Sequence, residues 1–138
     1  MKKTIFGLFL LTGVFATAQA DPPGLTVDTL LETATTILGQ DFAYPEGQAK
    51  ITAAVLTVPP QGTVPLHEHP VPLFVYVLQG AITVVYEEVG PITYHSGDSF
   101  VEAFQWPHQA HNAGRGVVKI LTVYAGAEGV PNAVALDP

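Results

Sequence analysis

His67 and His69 flank Glu68, and His108 follows later in the pair Pro107-His108. Residues two apart on a strand share a face, so both imidazoles of the His-x-His project together while Glu68 points away. Neutral imidazole is a ligand for divalent transition metals. Two such groups rarely hold an ion, whereas three on rigid strands make a site. Read without a metal, the same histidines are polar surface or core groups. Glu102 is the carboxylate to weigh beside them. It stands in Ser99-Phe100-Val101-Glu102-Ala103, an otherwise apolar stretch just before His108. If Phe100 and Glu102 share the inward face, a carboxylate enters the interior and needs a metal, a histidine or a proton as partner. With the opposite parity Val101 is inside and Glu102 is solvated, and a bulge exchanges the two.

Strands must carry these groups. Lys50 to Val58 is rich in β-branched residues and stops at Pro59-Pro60. Leu73 to Leu78 and Ala81 to Glu88 flank Gly80 as a hairpin, and Ile92 to His95, Ser99 to Ala103 and Val117 to Tyr124 complete the set. Short strands with frequent turn signals give an all-β sandwich or barrel. Val27 to Leu38 has apolar residues at helical spacing, but Thr29, Thr33, Thr35 and Thr36 favour extended backbone, so an N-terminal strand is expected there. Ala127 to Pro138 has little pattern and reads as a loose tail or an arm on a neighbouring copy.

Lys2 and Lys3, the apolar run Ile5 to Phe15 and Ala18-Gln19-Ala20 form a signal-peptide pattern. Residues 1–20 are therefore expected to be removed, leaving 21–138 as one domain in the periplasm or outside the cell, with no membrane anchor. The apolar run is short for a membrane span. The 138 residues contain no cysteine, which excludes disulfides and a lipidated cysteine. Beyond the leader, Lys50, Arg115 and Lys119 stand against twelve acids. So acidic a surface argues against nucleic acid or an anionic membrane as partner.

From about Ala54 to Ala125 the spacing resembles the cupin superfamily, in particular its small exported single-domain members. The first cupin motif runs glycine, five residues, His-x-His, three or four residues, glutamate, six residues, glycine. Here Gly62 is followed by four residues, His67-Glu68-His69, three residues, Leu73, six residues and Gly80. The second motif runs glycine, five residues, Pro-x-Gly, two residues, histidine, three residues, asparagine. Here Gly97 leads through Ala103, Phe104 and Gln105 to His108 and Asn112. The resemblance implies a double-stranded β-helix, a small jelly-roll-like barrel with any metal inside it. Carried over by position, His67, His69 and His108 are metal ligands. The usual glutamate falls on Leu73, which cannot coordinate.

Two outcomes stay open at Leu73. Either the site is degenerate and the barrel binds a small carbohydrate or organic acid without catalysis, or three histidines hold one divalent ion (Zn, Cu, Mn, Fe or Ni) and Glu102 substitutes. The second outcome implies a small-molecule metalloenzyme of dioxygenase, isomerase or lyase type. Leu73, Tyr76, Trp106 and Asn112 are the expected pocket residues, with Tyr86 and Phe104 as further aromatics near its mouth. His95 and His111 are expected outside the site, and a homodimer would cover exposed strand edges.

Overall fold

The computed structural model describes residues 24–137, and the expected signal segment lies outside them. Among the described residues nine strands follow in order: β1 (Ala49–Val58), β2 (Thr63–Glu68), β3 (Leu73–Gln79), β4 (Ala81–Tyr86), β5 (Gly90–His95), β6 (Ser99–Val101), β7 (His108–His111), β8 (Val118–Ala127) and β9 (Val134–Ala135). They form two antiparallel sheets, β1-β8-β3-β6 and β5-β4-β7-β2-β9. Consecutive strands repeatedly change sheet, which is the double-stranded β-helix expected from the motifs. Among the described residues no helix occurs.

Alternation of side chains sets the core. On β3, Leu73, Val75 and Val77 are buried while Phe74 and Tyr76 take the other face; on β4, Ile82, Val84 and Tyr86 are buried. Ile120 on β8 and Phe100 on β6 close the same cluster. Gly80 joins β3 to β4 at φ +82, and a Cβ there would lie 3.0 Å from Val118 Cγ2, so both backbone shape and space select glycine.

The N-terminal segment is not the strand expected for Val27 to Leu38. Its residues run outside the named strands, with a single bridge between Thr35 and Asp41. The threonines explain the difference. Thr33 Oγ1 donates to Thr35 O at 2.9 Å, and Thr36 Oγ1 accepts from the amides of Leu38 and Gln40. These local bonds compete with a ladder. The segment still docks on the barrel, where the Ile37 amide donates to Val101 O at 2.8 Å and Gln40 Nε2 donates to Phe104 O at 2.9 Å.

The C-terminal segment is likewise no loose tail. It folds back as β9, pairing Ala135 with His67 and Val134 with Glu68, and the Leu136 amide donates to Leu66 O at 3.1 Å.

Candidate metal centre

β2 supplies His67 through a bulge. Its register against β7 shifts between Val64 and His67, where Pro65, with no amide to donate, sits at the irregularity. Val64 and His67 are an odd number of residues apart, yet both line the interior cavity. The bulge restores the parity. His69 lies just past the end of β2, and the Gln105 amide donates to its carbonyl at 2.9 Å. Gln105 itself holds φ 50, the left-handed backbone at the motif position where cupins carry glycine. His108 opens β7 at the centre of the five-stranded sheet, paired with both His67 and Tyr86.

One ring nitrogen from each of His67, His69 and His108 lies within 4.8 Å of the others. The remaining nitrogen of each ring is engaged. His67 Nδ1 contacts Pro65 O at 2.7 Å, His69 Nδ1 contacts Asn132 O at 2.8 Å, and His108 Nδ1 contacts Trp106 O at 2.8 Å. A carbonyl only accepts, so each Nδ1 carries the proton and donates. All three rings are thereby set in the tautomer that leaves Nε2 with a free lone pair. Burial lowers the pKa of all three, His69 to about 4, which keeps them neutral.

Glu102 faces inward and is 5 % exposed, as Phe100 is buried two residues earlier. Its Oε1 accepts from Tyr86 Oη at 2.7 Å and from the Ala103 amide at 2.8 Å. Its Oε2 lies 3.9 Å from His108 Nε2, too far for a hydrogen bond. Burial raises the Glu102 carboxyl and lowers the His108 imidazole, so both shifts disfavour an ion pair between them. The residues fit a divalent transition ion: three Nε2 lone pairs and one carboxyl oxygen with no protein partner surround the same space.

That space is a cavity of about 70 Å³. Leu73 forms part of its wall with Leu56, Val75, Val84, Phe100 and Ile120, while the polar lining is the three histidines, Glu102, Thr122 and Tyr124. Burial holds the Tyr124 hydroxyl above its ordinary pKa, so it remains a phenol.

Three residues expected at the pocket lie elsewhere. Tyr76 alternates outward with Phe74 on β3. Trp106 donates its indole N–H to Glu87 O at 2.9 Å and serves the centre through its backbone carbonyl alone. Asn112, 1 % exposed, ties a distant loop: its Nδ2 donates to Val58 O, Pro59 O and Gly116 O, and its Oδ1 accepts from the Gly114 amide. Phe104 does not line the cavity either. His95 is exposed beside Asp98, and His111 falls on the opposite face of β7 from His108; neither joins the cluster. Tyr86 stands behind Glu102 instead of at a mouth. Tyr124 and the Asn132 carbonyl were not anticipated. Alternation from Ile120 through Thr122 signals Tyr124, whereas nothing in the sequence marks a backbone oxygen.

Residues 54–124, just over half of the chain, match the family model described as "Cupin domain". The chain therefore belongs to the cupin family. No curated protein sequence matches it. Among solved structures it is similar to Lactobacillus farciminis oxalate decarboxylase in a formate complex, at 24% identity and TM-score 0.56, over 64% of this chain and 27% of that one. It is also similar to Bacillus subtilis oxalate decarboxylase, studied for its Mn(II) centres, at 23% identity and TM-score 0.55, over 62% of this chain and 24% of that one. The chain thus spans about a quarter of the length of these structures. Identities this low show a shared fold.

Proposed function

We propose that this cupin holds one divalent transition metal on Nε2 of His67, His69 and His108, with Glu102 Oε2 as fourth donor, and acts on a small molecule as a metalloenzyme. The observation that carries this reading is the common tautomer. Three separate backbone carbonyls, on Pro65, Trp106 and Asn132, each accept a hydrogen bond from Nδ1–H and leave three Nε2 lone pairs facing one space. Histidines buried only for packing have no need of that coincidence.

A bound divalent ion would supply a Lewis acid at the polar end of an apolar cavity. The chain's own residues supply the rest. Leu73, Val75, Phe100 and Ile120 give the cavity an apolar wall, which lowers the local dielectric and strengthens polar interactions beside it. Glu102 Oε1 already accepts two hydrogen bonds, which leaves Oε2 as the oxygen turned to the ion. Tyr124 adds a hydroxyl to the lining, its ring centroid 5.6 Å from that of His69. Among the described residues no lysine or arginine lines the cavity. A substrate anion would therefore depend on the metal alone for countercharge, and a small molecule with little charge of its own is the better fit.

Export belongs to the same proposal. A chain that folds outside the cytoplasm acquires its metal there, where intrinsic affinities favour Cu and Zn over Mn and Fe. Self-association does too: β1 ends the four-stranded sheet with Ile51 and Val55 exposed on one face, an edge and face that a second copy would cover.

The test is metal analysis of protein purified without chelators or a histidine tag, beside His67→Ala. One ion per chain, lost in the variant, supports the reading. No ion in the wild type after supply of Mn, Fe, Cu and Zn contradicts it and favours a non-catalytic binding module.

A further inference from the structure

Behind Glu102 lies a hydrogen-bonded row that the function proposed above does not use. Tyr94 Oη is 3.0 Å from Tyr86 Oη, which is 2.7 Å from Glu102 Oε1. Tyr86 and Tyr94 are 1 % and 5 % exposed. The direction of the row follows from proton count. Tyr86 has one hydroxyl proton and gives it to Glu102, so it must accept from Tyr94. Tyr94 is fixed in turn by stacking on Phe100, with ring centroids 3.9 Å apart and planes 19° apart. Phe100 belongs to the same short stretch as Glu102. Tyr86 also pairs directly with His108 across β4 and β7.

Oε1 thus takes two donors from behind the wall while Oε2 has none and faces the histidines. The last torsion of a glutamate is broad and roughly two-fold. Something must choose its angle, and the Tyr86 hydroxyl supplies the side-chain donor that does.

We infer that Tyr86, itself set by Tyr94, is a positioning residue that holds Glu102 with Oε1 withdrawn and Oε2 forward, so that the carboxyl offers a metal one oxygen only. The inference rests on the metal reading proposed above. It concerns how the carboxylate binds, and its failure can be told apart from failure of that reading.

The experiment loads wild type, Tyr86→Phe, Tyr94→Phe, Glu102→Leu and the Tyr86→Phe/Glu102→Leu double variant with Co(II). It then records affinity and d–d absorption, with circular dichroism to confirm folding. Removal of the partner that orients a ligand typically weakens metal affinity about 10-fold or more. Tyr86→Phe should still bind one Co(II), about 10-fold more weakly, with weaker and shifted bands as a freed carboxyl adds its second oxygen. Tyr94→Phe should move the spectrum the same way by less. In the Glu102→Leu background, Tyr86→Phe should change nothing, because its route to the metal is gone. An unchanged Tyr86→Phe spectrum beside an altered Glu102→Leu spectrum overturns the inference alone. An equal effect of Tyr86→Phe in both backgrounds also overturns it, by showing a merely structural role. If Glu102→Leu leaves the spectrum at the wild-type value, the carboxylate part of the metal reading falls, and the positioning role with it.

Discussion

The Glu102 amide donates to the Leu73 carbonyl at 2.8 Å, and the side chains of both residues line the cavity. The motif position that usually carries a carboxylate is leucine, and a carboxylate enters from the backbone neighbour beyond the end of β6. One wall position has lost its acid and the adjoining one has an acid in its place.

That adjacency predicts that the carboxylate can be moved back. Glu102→Leu should weaken metal binding by about 10- to 100-fold. Leu73→Glu added to Glu102→Leu should recover about 10-fold of that loss. Leu73→Glu alone puts two acids in one cavity and should destabilise the metal-free protein by about 2 kcal/mol or more, since one acid lacks a partner. Metal titration and denaturant melts read both effects. A double variant no better than Glu102→Leu alone would contradict the relationship.

The C-terminal arm should matter to the metal more than to the fold. β9 has two residues, but the arm contributes Asn132 O to His69 Nδ1–H. Deleting residues 129–138 should leave the β circular dichroism spectrum intact and weaken metal affinity about 10-fold, the usual scale for losing a partner that orients a ligand. Unchanged affinity in a folded deletion variant would show that the arm does not set the His69 tautomer.

Low pH should destabilise the metal-free protein. Burial holds His69 at about 4 against its ordinary 6.5, and it lowers His67 and His108 as well. Between these values the unfolded chain binds more protons than the folded one. The stability from neutral burial is therefore fully present above pH 6.5 and is lost as pH falls toward 4. For His69 alone this is on the order of 3 kcal/mol. Glu102 acts in the opposite sense, because burial raises its carboxyl above the ordinary 4.5. Its contribution is present below that value and is lost as pH rises through the raised one. Three imidazoles outweigh one carboxyl, so the thermal midpoint should fall as pH goes from 6.5 to 4.5. Calorimetry across that window checks it, and a flat or rising midpoint would contradict the burial of neutral imidazoles.

Gln105→Gly should stabilise the protein by roughly 0.5–1 kcal/mol. The native φ of 50 is strained for glutamine and free for glycine, which outweighs the extra chain entropy of glycine. A lower thermal midpoint in the variant would show that the glutamine side chain contributes more than its backbone costs.

The strands, the three histidines and the family were legible in the sequence because alternation and motif spacing are local properties. Val75, Val77, Ile82 and Val84 fall where period two puts them. The inward turn of Glu102 was not fixed, because parity depends on whether a strand is bulged, and β2 is bulged between Val64 and His67. Val27 to Leu38 misled because threonine favours extended backbone yet also bonds its own main chain, and here the local bonds prevail. Tyr76 and Trp106 were drawn toward the pocket by residue type alone. The carbonyls of Pro65, Trp106 and Asn132 carry no side-chain signature at all, although they decide what the histidines can do.

A crystal structure of metal-loaded protein with anomalous data at the metal edge tests the central claim most directly. The account predicts one peak per chain inside the barrel, about 2.0–2.2 Å from Nε2 of His67, His69 and His108, with Glu102 Oε2 as the nearest carboxyl oxygen. A peak bound through Nδ1, or one at His95 or His111 with the barrel empty, would contradict it.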